Sequence, residues 1–398
     1  MKILLVNAAS QFLIDPMVFS PLGLWYVGAK AAAGKDTKVD FVDLNVDDLP
    51  MGYDAYLVTG TTPQIRSMMD VPKKIGNAHK LIAGGPHASI APQELLKAGY
   101  HWVVRGEGEP VINDILAGKI PKGIVSVPRI TDMTTIPHPI RKWSHRYHYK
   151  MNGRVATHAM VSRGCPWSCH FCCHALWGQK TTYMPMDWVF HELNSIANQN
   201  YKAVMFYDDT FTVDRERVAE IGGILKKRDL AWRCFIRADT IDADLAKQMA
   251  EMGCVEVGLG VESGSDRILM GVGKRTTSFQ NTQAVKVCQD AGIRVKAFLI
   301  VGLPGETEQT FQETKDWVAR TEPYDFDATL FVPYPGTPIM ENKGDYDINW
   351  DGMETSQLWY KGIPGQYNSH VWTRNLSRER LGAMREELES LKKVPIGG

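Results

Sequence analysis

The sequence predicts a two-part α/β chain, an open parallel sheet followed by a barrel or partial barrel, and three observations predict it. From residue 2 to about 117 short apolar runs alternate with helical patterns. A proline-rich stretch then interrupts the pattern, and alternation resumes as six larger β/α units. The 398 residues, 44% of them apolar, are enough to bury two sizeable cores.

The first part is built from "KILLVN", a helical "LGLWYVGAKAAA", "VDFVDL", "AYLVTG", a helical stretch near 64 to 77, "KLIAGG" and "HWVVRG". Strands alternating with helices imply a parallel sheet covered on both faces. Four strands run into turns of small residues: Asn7-Ala8-Ala9-Ser10, Thr59-Gly60-Thr61, Gly84-Gly85-Pro86 and Gly106-Glu107-Gly108. Glycine alone ends many strands. Four such turns on one edge, at the carboxyl ends where open α/β sheets bind ligands, instead mark one side of a binding crevice.

Pro121, Pro128, Pro137 and Pro139 exclude a long helix, so residues 126–152 read as a linker between a domain of residues 1–125 and one of residues 153–340. Arg141 to Arg154 is basic and aromatic, but one such run in a chain with 45 basic and 45 acidic residues reads as packed linker. No nucleic acid is expected. The second series has strands at 155–163, 203–209, 231–238, 254–262, 294–302 and 326–333, with helices near 187–199, 214–228, 242–252, 277–291 and 307–320. Barrels place their chemistry on the loops after the strands. The unusual residues lie there: the cysteines, Asp208-Asp209, Arg237, Glu262-Ser263-Gly264, Gly302-Leu303-Pro304-Gly305 and Pro333-Tyr334-Pro335-Gly336. Residues 341–398 form an extension with Trp350, Trp359, Tyr360, Tyr367 and Trp372, then a charged helix near 377–393; a lid over the barrel mouth and packing on its wall both fit.

The start "MKILLVNAAS" has too short an apolar run for a signal peptide, and no stretch is long enough for a membrane span. An odd count of seven cysteines, four within residues 165–173, argues against a secreted disulfide framework and for a reducing, cytoplasmic setting. A structural zinc site wants a second cysteine pair, and Cys234, Cys254 and Cys288 lie singly in strand or helix patterns. Cys165, Cys169 and Cys172, spaced C-x3-C-x2-C, suit a [4Fe-4S] cubane with three thiolates and one open iron.

"CPWSCHFC", with "FYDDTFTVDRERV", "VGLGVESGSDRIL", "FLIVGLPGET" and "PYPGTPI" at later strand ends, resembles the radical S-adenosylmethionine (SAM) superfamily over about residues 155–340. "IAGGPHASIAPQELLKAGYHWVVRGEGE" resembles the cobalamin-binding domain of its B12-dependent branch. The resemblance implies a Rossmann-like (flavodoxin-like) cobalamin-binding domain and a partial (β/α)6 TIM-type radical SAM barrel. Cys165, Cys169 and Cys172 would ligate the cluster, and the amino and carboxylate groups of SAM would chelate the open iron. Phe171 would lie near the adenine, and Tyr207, Asp208 and Asp209 would face the methionine amino group. Glu262 and Ser263 would lie near the ribose or carboxylate, and Gly302, Leu303 and Pro304 would meet the adenine. Arg237 belongs to the same SAM-binding set. Cobalamin would contact Ala8, Ser10, Thr59, Gly60, Thr61, Gly84, Gly85, Pro86, His87, Gly106, Glu107 and Gly108. The D-x-H-x-x-G motif is absent, so no histidine need lie below cobalt, and His87 reads as a contact or a cap.

The implied activity is C-methylation of an unactivated carbon of a small molecule, through a 5'-deoxyadenosyl radical and methylcobalamin, with an external one-electron reductant of the flavodoxin or ferredoxin type. Oxidative cyclisation or rearrangement, as in the anaerobic porphyrin cyclase, uses the same cofactors. A non-enzymatic cluster or cobalamin carrier is the reading from another class.

Overall fold

Strand β1 (Lys2–Asn7) is buried at every position after the first, as an unbroken apolar run requires of a strand covered on both faces. A computed structural model describes the chain except residues 11, 12, 14, 35, 77, 78, 352–367 and 394–398. The described residues form two units, one of residues 1–149 and 173–188, the other of residues 150–172, 189–351 and 368–393.

In the first unit β1 is joined by β2 (Lys38–Asp43), β3 (Ala55–Thr59), β4 (Lys80–Gly84), β5 (Trp102–Arg105) and β6 (Gly123–Ser126) in the order β2-β1-β3-β4-β5-β6, all parallel. Helices α1 (Leu22–Ala32), α2 (Ile65–Ile75), α3 (Pro86–Ile90), α4 (Pro92–Lys97) and α5 (Ile112–Leu116) connect them. The order reverses between β1 and β3, so the turns after these strands diverge there and leave a crevice at the carboxyl edge.

β6 lies inside the proline-rich stretch and was not expected. Pro121 and Pro128 flank it, and its place at the sheet edge is where nearby prolines do least harm. The stretch expected as a linker is part of the first unit as far as Tyr149. Its rings and charges find partners on the sheet: Trp143 packs on Phe41 at 5.3 Å, Tyr147 on Trp25 at 5.8 Å, Arg146 pairs with Asp47 at 2.5 Å and Lys142 Nζ donates to Val39 O at 3.0 Å. Tyr147 also donates its hydroxyl to the buried Asp43, which takes Asn7 Nδ2 at 2.9 Å.

The second unit opens with a hairpin. β7 (Lys150–Met151) turns through Asn152 and Gly153, both at positive φ, onto β8 (Arg154–Ala159). Asn-Gly suits that two-residue turn because both positions must be left-handed. The parallel series β8, β9 (Ala203–Phe206), β10 (Ala231–Ile236), β11 (Cys254–Glu262), β12 (Arg294–Val301) and β13 (Asp325–Leu330) follows in that spatial order and curls into an open half-barrel. Helices α6 (Met186–Asn198), α7 (Arg215–Lys227), α8 (Ala243–Glu251), α9 (Asp266–Gly271), α10 (Ser278–Asp290) and α11 (Glu308–Thr321) alternate with the strands. Asp214, Asp242, Thr277 and Thr307 start four of these helices by accepting a backbone N–H two or three residues on. The short α9 carried too few turns to be read from periodicity.

Along β12 and β13 buried and half-buried residues alternate, so one face packs under helices and the other is the concave face. That concave face is charged: Glu256 pairs with Arg233 at 3.0 Å and Arg294 at 3.2 Å, and Lys296 with Asp325 at 2.8 Å and Asp327 at 3.4 Å. After α12 (Pro338–Glu341), α13 (Arg378–Glu389) covers the β13 edge, where Ala328 N donates to Glu389 Oε1 and Arg385 Nε to Ala328 O. Of the aromatic run in the extension, Trp350 and Trp372 sit in a pairing of Asn349–Trp350 with Val371–Trp372. Trp359, Tyr360 and Tyr367 lie outside the described residues.

Gly264, after β11, packs so closely on α11 that a Cβ would stand 2.6 Å from Glu313 O and 2.7 Å from Thr314 Cα. Gly264→Ala should therefore destabilise the chain by about 1–3 kcal/mol, since backbone must move. Gly271→Ala, with nothing within 4 Å of its Cβ, should stay within about 0.5 kcal/mol of the parent or gain slightly, read by denaturant unfolding.

Glu306, buried beneath the turn after β12, accepts the amides of Gly302 and Leu303, and burial raises its pKa to about 7 against those bonds and a nearby Arg267. The unfolded chain loses this proton near 4.5 while the folded chain keeps it to about 7. The group's contribution is thus complete below the lower value and lost as pH rises through the upper. Measured from pH 4 to 8, the stability of wild type relative to Glu306→Gln should fall by about 1–3 kcal/mol; a flat difference contradicts the assignment.

Candidate active site

Gly164, at φ +88°, starts the cysteine loop beyond β8. The two aspartates after β9 hold its root. Asp208 is fully buried and accepts from Val161 N at 3.0 Å and from the Ser162 hydroxyl; burial, opposed by those bonds, raises its pKa to about 7. Asp209 accepts from Gly164 N at 3.0 Å. Both carboxylate oxygens of Asp208 thus serve the loop's own backbone and serine. Tyr207, beside them, stacks on His158 with centroids 4.5 Å apart.

Along the loop, Cys165 Sγ lies 3.8 Å from Thr210 Oγ1, and Cys172 N donates to Cys169 O at 3.1 Å. The thiols of Cys169 and Cys172 are hydrogen-bonded to each other, whereas Cys173 is exposed. Cys169 is drawn down to about 6, first by the hydrogen bond from Cys172 and then by the charges of Lys274 and Arg237, with burial opposing. Cys172, keeping the shared proton, is pushed up by the same bond and by burial.

Two buried cations flank this pair. Arg237 Nη1 donates to Cys169 Sγ at 3.4 Å, its other nitrogens bind Asp239 and Lys274 O, and its guanidinium lies 4.4 Å from the Trp167 ring centroid. Lys274 is 4% exposed, pairs with Glu262 at 2.7 Å and sits 6.0 Å from the Phe171 ring. Glu262 reaches it because the β11–β12 register shifts between Gly260 and Glu262, where Glu262 takes φ +66°. A bulge with a left-handed non-glycine residue is a strained way to aim one side chain, and it persists only where surrounding contacts hold it.

Lys274 was not foreseen. It lies in "GVGKRT", where a Lys-Arg pair reads as solvated surface; the two glycines just before it, permitting close approach, were the available signal. Ser263 is buried, 3.2 Å from Thr314 Oγ1, and accepts from Ser265 N. Gly302, Leu303 and Pro304 are buried too, with Leu381 and Val371 lying over Gly302. Glu306 takes the Gly302 and Leu303 amides, so those two donors serve the turn itself.

In the first unit, the four expected turns do end neighbouring parallel strands. Thr59 Oγ1 donates to Gly84 O at 3.2 Å, Thr61 N to Gln64 Oε1 at 2.8 Å, and Gln64 Nε2 to Ala8 O at 2.5 Å. Gly85, at φ +91°, admits no Cβ, which would meet Thr59 Oγ1 at 2.2 Å. Gly60 packs on Met68. A Cβ on Gly84 would meet nothing within 4 Å, and Ser10 Oγ is buried with no hydrogen-bond partner. His87 is 0% exposed, lies 3.3 Å from Thr62 Oγ1 and 3.7 Å from Glu94, and burial lowers its pKa to about 4. Glu107 is buried and accepts Ile130 N at 2.6 Å. Gly106 and Gly108 flank it, packed on Val127 and Val27. Pro86 opens α3.

The donor chemistry fits an iron–sulfur cubane: three thiols on one loop, with cations beside an anionic centre. At the carboxyl edge of the first sheet the described residues offer hydroxyl groups and backbone, with nothing described within 4 Å of a Cβ on Gly84.

Residues 160–318 match the family model of the radical SAM superfamily. The chain is 30% identical over 382 residues to an uncharacterized methyltransferase of Pyrococcus horikoshii, covering 86% of this chain and 83% of that one. It is 27% identical to the anaerobic magnesium-protoporphyrin IX monomethyl ester cyclase of Rubrivivax gelatinosus, covering 82% and 66%. The fold superposes with TM-score 0.73 at 15% identity on the radical SAM methyltransferase TsrM of Kitasatospora setae, a structure with cobalamin and a [4Fe-4S] cluster bound, covering 98% and 89%. No described helix is long and apolar enough to cross a membrane. A cysteine loop at the mouth of a half-barrel, preceded by a six-stranded parallel sheet, is thus accounted for: the chain belongs to the radical SAM superfamily.

Proposed function

We propose that the chain is a cobalamin-dependent radical SAM C-methyltransferase acting on an unactivated carbon of a small molecule. The observation that carries this reading is the pair of buried cations, Arg237 and Lys274, set against the thiols of Cys169 and Cys172 at a half-barrel mouth. The methyltransferase among the sequence relatives and the fold shared with TsrM support methyl transfer. When bound, the cluster and cobalamin supply the electron that splits SAM and the methyl group that is transferred.

The remaining tasks fall to the protein's own residues. Cys165, Cys169 and Cys172 hold the cluster, and Arg237 and Lys274 favour their thiolate forms by charge. Glu262, oriented by Lys274, offers a carboxylate for the SAM ribose or amino group, and Phe171 and Tyr207 offer ring faces. Asp209 keeps the loop root in place beside them. In the first unit Ser10, Thr59, Thr61 and the Gly84-Gly85 backbone line the cobalamin cradle. Partners are the substrate and an external one-electron reductant of the flavodoxin or ferredoxin type.

Cys172→Ala should lose iron and the visible cluster absorption after anaerobic reconstitution, whereas Cys173→Ala should keep both. Equal loss in the two variants would mean a different ligand set.

With a substrate deuterated at the reacting carbon, each product should consume two SAM and yield one S-adenosylhomocysteine and one deuterium-labelled 5'-deoxyadenosine. Deuterium transfer without methyl transfer would point to the oxidative chemistry of the cyclase relative. Methyl transfer without 5'-deoxyadenosine would remove the radical step.

A further inference from the structure

One short stretch of the C-terminal extension bonds to both the cysteine loop and the turn after β12. His170, between Cys169 and Cys172, is held at three points: its amide donates to Val272 O at 2.9 Å, its carbonyl accepts from Ile339 N at 3.2 Å, and its Nδ1 lies 3.0 Å from the Tyr346 hydroxyl. The imidazole also lies flush against Gly273, where a Cβ would stand 2.4 Å from Nε2. Next along the chain, Asp347 accepts from Gly305 N at 3.0 Å through its carbonyl and from Arg374 N at 3.1 Å through its carboxylate. Thr373 Oγ1 donates to Glu306 O at 3.1 Å, tying the same turn to the returning chain.

We propose that Tyr346-Asp347 is a strut fixing the spacing between the cysteine loop and the Gly302–Gly305 turn, and that His170 is the positioning residue through which it grips the cysteine loop. The inference rests on the reading that these two loops bound the SAM pocket. Neither loop is helix or strand, so neither inherits rigidity from a hydrogen-bonded ladder. They follow the first and fifth strands of the parallel series, with three strands between them, and the sheet alone couples them weakly. A two-residue link bonded to both sets the gap directly. Preorganising that gap lowers the ordering cost of binding, so its loss should appear in SAM affinity before it appears in cluster content.

Tyr346→Phe removes one hydroxyl and leaves the ring, so folding should survive. In the full-length protein, hydrogen exchange in this variant should rise several-fold in peptides covering both 165–172 and 302–306, with strand peptides unchanged. Iron per chain after reconstitution should match the parent, while the SAM dissociation constant rises by about three- to tenfold, the factor one hydrogen bond commands. His170→Ala should reproduce both effects, and His170→Asn, whose side-chain amide can again meet the tyrosine hydroxyl, should restore them in part. Exchange rising only within 337–347, or in neither loop, overturns the strut, as does unchanged SAM affinity. Exchange is read without the cluster, so if Cys172→Ala kept its iron the ligand assignment would fall while the exchange result still judged the strut.

Discussion

The interaction on which the site depends is the contact of buried positive charge with the cysteine loop. Lys274 and Arg237 are each about as buried as a core leucine, and each is matched: Lys274 by Glu262, Arg237 by Asp239. Removing Glu262 would leave the Lys274 charge buried and uncompensated, which costs about 3–5 kcal/mol, whereas Asp239 is partly in water and its loss would cost less. The arrangement therefore behaves as a unit. Arg237 also donates to Lys274 O, so the two cations are linked through backbone. The strained backbone at Glu262 follows from this: only a bulge at the end of β11 turns that carboxylate onto Lys274. A loop with almost no secondary structure is thereby held by charges on three strand ends.

Most of the architecture was legible because parallel strands are buried on both faces and read as unbroken apolar runs. "KILLVN" could be little else. The illegible elements share a cause. β6, α9 and the 141–147 strap are short, and what holds them is contact with distant residues: Trp143 on Phe41, Tyr147 on Asp43. Local sequence carries no record of those partners. Prolines at 121 and 128 exclude a long helix, as the sequence reading has it, and they also flank a short edge strand that the reading does not contain.

The site was legible in its cysteines and less so in its supports. Spacing marks thiols that must share one loop, but nothing in spacing marks Lys274, which is brought in from beyond α9. The sequence reads Asp208, Asp209 and Glu262 alike as SAM contacts and is silent on Glu306. In the structure Asp208 and Glu306 accept backbone amides, so they shape turns, while Glu262 pairs with Lys274 at the mouth. The same division holds in the first unit. Ser10 and Thr61 remain at the crevice, and His87 and Glu107 are absorbed by neighbouring chain.

The concave face of the half-barrel follows from the same constraint. A closed barrel fills its interior with branched apolar side chains, but an interior that must admit a charged cosubstrate cannot be filled or left greasy. Here glycines at 258 and 260 remove side chains from β11, and Phe235 and Phe298 close in over Gly258, where a Cβ would meet either ring within 3 Å. Toward the amino ends of the strands, Arg233, Glu256, Arg294, Lys296, Asp325 and Asp327 pair across adjacent strands. Each charge has an opposite neighbour, so the layer can stay half-buried without the penalty of isolated ions. Below the mouth the half-barrel therefore replaces an apolar core with a neutralised polar floor, and the cations that reach the thiols, Arg237 and Lys274, stand at the cysteine loop, each with its own acidic partner.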